Sequence, residues 1–290
     1  MIYCKELNKN FQSKDEMLIE LKNNISEIIT AKKSVVKRGD SYGISTKTDV
    51  SEKTLTILKN ITQKSFNDSK KSIDYTKEAL LPNLKVVVIA NTTNWFDSHR
   101  DVHIDGIWNK TLADNGQKGF DHLQEHENDF DKIISTKAKV VIENTTFKAL
   151  GFNYEGNTQA LNCESIIDPN RNIFMYNQYA NGWVENHSVG MMYVDLVYCA
   201  DSNVIEMQEY KANYEKYYGL ISNKSEVDEL GYFYAVLQAK LCEFSAVPKG
   251  SNEITPTISV TADAPLVKNQ ADKSLEQTDN SQKIKEMFNL

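Results

Sequence analysis

Apolar positions near the N-terminus recur at helical spacing. Leu18, Leu21, Ile25 and Ile28 fall on one stripe, and Ser13-Lys14-Asp15-Glu16 before them reads as a capping box. Leu55, Leu58 and Ile61 give a second, shorter helical stripe over Ser51 to Lys64, after a Gly/Ser/Thr loop from Arg38 to Val50. These patterns predict a charged, helical N-terminal arm over residues 1–80, its stripe either a packing face or a docking face for a partner. Further on the period shortens. Leu84–Thr92 is rich in β-branched residues, as a buried strand should be. Lys137–Asn144, Thr158–Ile167, His187–Tyr198 and Tyr232–Val247 are further strand segments, with short helices expected at Gly106–Ala113, Asn172–Ala180 and within Ile205–Ile221. From residue 255 to 290 the chain turns polar, and KSLEQTDNSQK has too little apolar area to offset its ordering entropy. The pattern predicts an α+β core with much strand over residues 84–254, followed by a polar C-terminal tail over 255–290 that serves as a linker or a detachable segment.

Composition narrows the function classes. The 290 residues are 40% hydrophobic and 25% charged, an ordinary globular balance. A net charge of −7 argues against coating nucleic acid, which needs clustered Lys and Arg. The four cysteines, Cys4, Cys163, Cys199 and Cys242, form no CxxC pair and are expected to be reduced thiols in a cytosolic setting. The first ten residues lack the apolar core of a signal peptide, and the longest apolar run, Val86–Ala90, is far too short to span a bilayer. No membrane partner is expected.

All five histidines, His99, His103, His122, His126 and His187, lie between residues 99 and 187, so general acid–base chemistry is sought there. His122-Leu-Gln-Glu125-His126 matches H-x-x-E-H, which on a helix would present two zinc ligands on one face. That reading needs a helix and a third ligand, and the flanking GFDHLQEHENDFDKII lacks a helical stripe. A bland charged loop is the competing reading. Strand alternation in His187–Tyr198 puts Ser188, Gly190 and Met192 on one face and His187 on the other, so His187 cannot be a base for Ser188. Gly190 on the serine's face would leave room for a substrate backbone. Alternation in Tyr232–Val247 places Glu243 in a mostly apolar row with Leu237, Ala239 and Leu241, where an unpaired carboxylate would cost several kcal/mol. Glu243 therefore needs a partner, and a histidine is a natural one.

Three separated patches stand in a meaningful order. The first runs Asp97-x-x-x-Asp101-Val102, Gly106 and Leu112, followed by Leu123-Gln-Glu-His126-Glu; the second is His187-Ser188-Val-Gly190; the third is Glu243-Phe-Ser-Ala-Val-Pro248-Lys-Gly-Ser-Asn252. Together they resemble the prohead proteases of tailed phages, whose fold is similar to that of herpesvirus assembly proteases. The resemblance covers about 84–257. Arg100 stands where that family usually has Gly, and Gln124 where an aromatic is frequent. The resemblance implies an α+β fold with a β-barrel-like, mostly antiparallel core and surrounding helices. It implies a serine endopeptidase with Ser188 as nucleophile, His126 as general base and Glu243 as the acidic third member, and no cofactor or metal. Its implied partners are capsid and scaffold proteins, and itself, inside the assembling prohead in the host cytoplasm, with a homo-oligomer a further possibility. Arg100 and Arg171, two of only three arginines, are the side chains nearest to hand as oxyanion helpers. The alternatives are a scaffolding head protein with the same fold and no activity, and a zinc hydrolase built on His122 and His126.

Overall fold

The computed structural model describes residues 1–38, 41–44 and 81–262. The helix expected over 51–64 and the tail beyond residue 262 lie outside the described residues. In chain order the elements are β1 (Ile2–Cys4), β2 (Lys9–Phe11), α1 (Lys14–Asn23), α2 (Ile25–Lys33), β3 (Val35–Arg38), β4 (Ser41–Ile44), β5 (Leu84–Thr92) and β6 (Asp101–His103). They continue as α3 (Asn109–Asn115), β7 (Phe120–Gln124), β8 (Ile133–Thr146), β9 (Asn157–Ile167), α4 (Ile173–Ala180) and β10 (Asn186–Ala200). The last are α5 (Gln208–Tyr218), α6 (Ser225–Leu230), β11 (Tyr232–Val247) and β12 (Thr257–Ala262).

The fold is α+β. Ten strands form one mixed sheet in the order β12-β5-β9-β8-β7-β11-β10-β3-β4, with β6 beside β11. Every pairing in it is antiparallel except those of β11 with β6 and with β7. No closed barrel is formed among the described residues. The strand β8 carries the turn of the sheet, because its first part pairs with β7 and its second part with β9. Among the described residues no helix is long and apolar enough to cross a membrane.

The five expected strands are present, with bounds moved by at most four residues, and Asn172 caps α4 by accepting the N–H of Met175. Two expectations about the ends are corrected. First, residues 1–35 are no separate arm. Cys4, Phe11, Met17, Leu18, Leu21, Ile28, Ala31 and Val35 are buried in the same core as Val86, Val189 and Phe244. Each large apolar side chain so buried contributes about 1.5–3 kcal/mol, which a free helical stripe would forgo. The capping box is also modified: Ser13 accepts from Glu16 N–H, but the Glu16 carboxylate accepts from Gln12 N–H. Second, the polar tail does not begin at 255. Thr257–Ala262 pairs with β5 as an edge strand, where alternating Thr, Ile, Ser and Val suits a half-solvated ladder.

Two buried ion pairs fasten the N-terminal segment to the sheet. Lys32 of α2 bonds Asp101 at 2.7 Å and the backbone carbonyl of His99 at 3.1 Å. Arg100 bonds Glu6 at 2.8 Å and also the Tyr232 hydroxyl.

Candidate active site

The site is built where β11 runs between β10 and β7. Ser188 stands opposite Ser245, and Gly190 opposite Glu243. The register then slips: Met191 is opposite Leu241, so Cys242 is an extra residue, a β-bulge. The bulge corrects the expected apolar row. Ala239 and Leu241 turn into the core opposite Tyr193 and Met191, while Glu243 and Ser245 share the other face with Ser188 and Gly190. Residues of one alternating run are thereby divided between core and site.

His126 arrives on this face through a strained turn. Glu125 and His126, just after β7, both adopt left-handed backbone, φ 53° and 63°. For non-glycine residues this costs about 1–3 kcal/mol each. Three hydrogen bonds hold the turn: Glu125 N–H to Ala246 O (2.9 Å), His126 N–H to Ser245 Oγ (3.1 Å) and Glu127 N–H to Gln124 O (3.0 Å). His126 Nδ1 lies 2.7 Å from Glu243 Oε1. An ionised carboxylate only accepts, so Nδ1 carries the proton and Nε2 is the basic nitrogen of the neutral ring. The other oxygen, Glu243 Oε2, accepts the Ser245 hydroxyl at 2.7 Å. His126, Glu243 and Ser245 are all buried.

Gly190 has a different task from the one its position suggested. A Cβ there would lie 1.8 Å from Glu243 Oε1, so the missing side chain is the space the carboxylate occupies. Ser188, buried at 6% exposure, lies two residues along the same strand face, about 7 Å from Gly190 by strand rise. The structure thus brings Glu243 and His126 into contact and sets Ser188 on their face, next to Ser245. Among the described residues no hydrogen bond joins Ser188 to His126.

The opposite face holds a second group of histidines. His187 Nδ1 is 3.0 Å from the carbonyl of Thr255, and its Nε2 is 2.9 Å from the Tyr179 hydroxyl. That hydroxyl is also 3.0 Å from His122 Nε2, and His122 Nδ1 is 2.9 Å from Ser165 Oγ. With both rings neutral, one carbonyl fixes every proton in this chain. Thr255 O can only accept, so His187 Nδ1 donates and its Nε2 accepts from Tyr179. Tyr179 has a single proton, so its oxygen accepts from His122 Nε2–H, and Ser165 donates to His122 Nδ1. Both rings are neutral because they are buried with no carboxylate beside them. Burial pushes His187 down to about 4 and His122 well below its ordinary range, aided by His187. Tyr179 is raised well above its ordinary value, also by burial.

His122 lies in a strand, stacked on Phe244 at 4.5 Å, with its ring on the core face. The helix that the H-x-x-E-H reading requires is absent, and His122 and His126 project to opposite faces. A shared metal is ruled out by that geometry. Asp97, His99 and Asp101 cluster as three buried potential ligands, but the Lys32 ammonium already lies on Asp101. Neither arginine reaches the site. Arg100 is committed to Glu6 and Tyr232 at the far end of β11, and Arg171 bonds Thr136.

The sequence patches divide accordingly. Asp97 accepts the N–H groups of His99 and Asp101, and Asp101 also accepts from Tyr193, so the first patch up to Asp101 is a structural corner. In the third patch Gly250 permits close approach to the His187 carbonyl, and Asn252 bonds Thr92 through both its amide oxygen and its nitrogen. That staple delivers Thr255 to His187. Ser245, Tyr179 and Thr255 were not singled out from the sequence. Only Ser245 carried a signal, its place two residues after Glu243 on one strand face. Comparison with protein-family models, with curated proteins and with solved structures finds no match.

Proposed function

We propose that this chain is a serine endopeptidase in which Ser188 attacks a peptide carbonyl, His126 moves the proton and Glu243 orients His126. The observation that carries this reading is the 2.7 Å bond from His126 Nδ1 to Glu243, which reserves Nε2 for a hydroxyl. Ser188 Oγ would form the acyl bond as its proton passes to His126 Nε2. That proton then goes to the leaving amine as the C–N bond breaks. Water attacks the acyl ester, gives a proton to His126, and Ser188 recovers it as the acid product leaves. The resemblance to prohead proteases extends the proposal to the finer fold, a herpesvirus-protease-like barrel, and to the substrates: capsid and scaffold proteins, and the chain itself, within an assembling phage head.

The test is covalent labelling. A fluorophosphonate should modify Ser188, located by peptide mass spectrometry. Labelling should vanish in Ser188→Ala and fall by about 10³-fold or more in His126→Ala, since triad members act as a unit. The second reading, an inactive head protein of the same fold, draws on the lack of a Ser188–His126 hydrogen bond among the described residues. A folded chain whose Ser188 stays unlabelled would establish that reading.

A further inference from the structure

Three large aromatic side chains left in water meet on one surface. The turn between β7 and β8 carries Phe130, which is 94% exposed. Asn172, at the head of α4, bonds the carbonyl of Asp131 at 3.1 Å, so this turn stands beside the helix. Phe174 in the first turn of α4 is 41% exposed, and Trp183, just past its end, is 65% exposed. Phe174 and Trp183, with Met175, Val184 and Pro248, line a cleft of about 230 Å³ that Gln124, the last residue of β7, also borders. The cleft lies against α4 on the His122 face of the sheet, away from Ser188. Its volume is below the roughly 300–1,000 Å³ that encloses a drug-sized ligand, and suits one large side chain.

One surface therefore offers a projecting ring and, beside it, a cleft for such a ring. Phe130 is too exposed to be filling the cleft of its own chain. A two-fold axis fits this arrangement, because the same patch then serves on both sides of the contact. Charge runs the same way. Asp129 and Asp131 flank Phe130 and are exposed. Arg171, before the head of α4, and Lys249, next to Pro248, are exposed beside two walls of the cleft. Arg171 bonds the neutral hydroxyl of Thr136. Glu125 is the one charged residue among the described lining of the cleft itself, so two cations face one carboxylate where the acidic tip would seat. Area is also sufficient to matter. A fully exposed aromatic side chain has about 150–250 Å² to bury. At their exposures, the six aromatic side chains of two copies hold about 800 Å². That is a large part of the roughly 1,200 Å² buried by small stable interfaces. We infer that this surface pairs two copies of the chain about a two-fold axis, with Phe130 of each copy in the cleft of the other. The inference does not rest on the peptidase reading.

Sedimentation velocity of the full chain should show a reversible equilibrium between 33.0 kDa and twice that mass. As concentration rises, Trp183 emission should shift to the blue, since Trp95 and Trp108 are already buried. Phe130→Ser and Trp183→Ala change exposed positions, so circular dichroism should stay the same. Each should weaken pairing at least about tenfold, the size of a hot-spot truncation. The decisive arm mixes the two variants. A mixed pair regains one intact ring-in-cleft contact, so the mixture should associate more tightly than either variant alone. A chain that stays monomeric overturns the inference and leaves the cleft to another occupant. Dimers that tolerate both substitutions overturn it as well, because the contact then lies elsewhere. A mixture no tighter than its parents overturns the seating of Phe130 in the cleft.

Discussion

His126 and His187 lie on opposite faces of the same strands, and the two faces treat an imidazole in opposite ways. On one face His126 is held by an ion-capable partner, Glu243, in a turn whose backbone is strained and pinned by Ser245. On the other, His187 and His122 share a hydroxyl and a carbonyl in a sealed chain that has no carboxylate. The first arrangement pairs a ring nitrogen directly with a carboxylate. The second keeps both rings neutral, because burial penalises the charge and no carboxylate offsets it. Residue parity alone separates them, since Ser188 and His187 are neighbours in sequence. Histidine content is thus a poor guide to chemistry, and the partner of each ring nitrogen is a good one.

Filling the space at Gly190 should disturb the first face most. In Gly190→Ala the added Cβ would meet Glu243 Oε1, and the carboxylate must leave His126. Labelling of Ser188 should slow by about 100-fold, the usual cost of a misplacement near 1 Å. Overpacking should lower stability by about 1–3 kcal/mol, measured by urea unfolding. Wild-type labelling in this variant would mean that the proposed role of Glu243 in orienting His126 is wrong.

The second face should answer to pH. His187 titrates near 6.5 when unfolded and near 4 when folded, so between those values the unfolded chain binds more protons. Its contribution is complete above pH 6.5 and is lost as pH falls through 4. By pH 4 the loss is about 3 kcal/mol from His187 alone, with His122 adding in the same direction. Urea unfolding at pH 7 and at pH 4.5 should show the decline. Tyr179→Phe should cost about 1–3 kcal/mol at pH 7 for each imidazole nitrogen left unpaired. Imidazole nitrogen resonances should show both rings neutral at pH 6, with His187 protonated at Nδ1 and His122 at Nε2. A protonated His187 at that pH would break the contrast between the faces.

Part of this was legible in the sequence. The strand at Leu84–Thr92 and the separation of His187 from Ser188 follow from period-two alternation, which survives tertiary packing. The need of Glu243 for a partner followed from burying a charge, although the row used to argue it was wrong. The bulge at Cys242 was missed, because strict alternation was carried through YFYAVLQAKLCEFSAV and Cys242 reads as an ordinary strand residue. The buried chain was also invisible. Ser165, Tyr179 and Thr255 come from β9, α4 and the loop before β12, and no spacing rule connects them. The integration of residues 1–35 was left open between packing and docking, because three-residue strands carry too short a pattern to read and a helical stripe does not name what covers it.

Ser245 offers the smallest effect and the sharpest test of how the first face works. Its hydroxyl accepts the N–H of His126 and donates to Glu243, so it acts on His126 twice, once directly and once through Glu243. Ser245→Ala leaves that N–H and one carboxylate oxygen short of a partner, at a cost of about 1–3 kcal/mol in urea unfolding. The 2.7 Å bond from His126 to Glu243 remains available, so labelling of Ser188 should slow by only about tenfold, a 1.4 kcal/mol effect. A positioning role through Glu243 predicts more than a slower rate. In a Glu243→Gln background the amide can no longer accept at both ends, and removing the Ser245 hydroxyl should then cost less than it does in the wild-type chain. Residues in one hydrogen-bonded network show such coupling, whereas independent ones add. Strict additivity of the two substitutions in labelling rate would assign Ser245 to the turn at His126 alone.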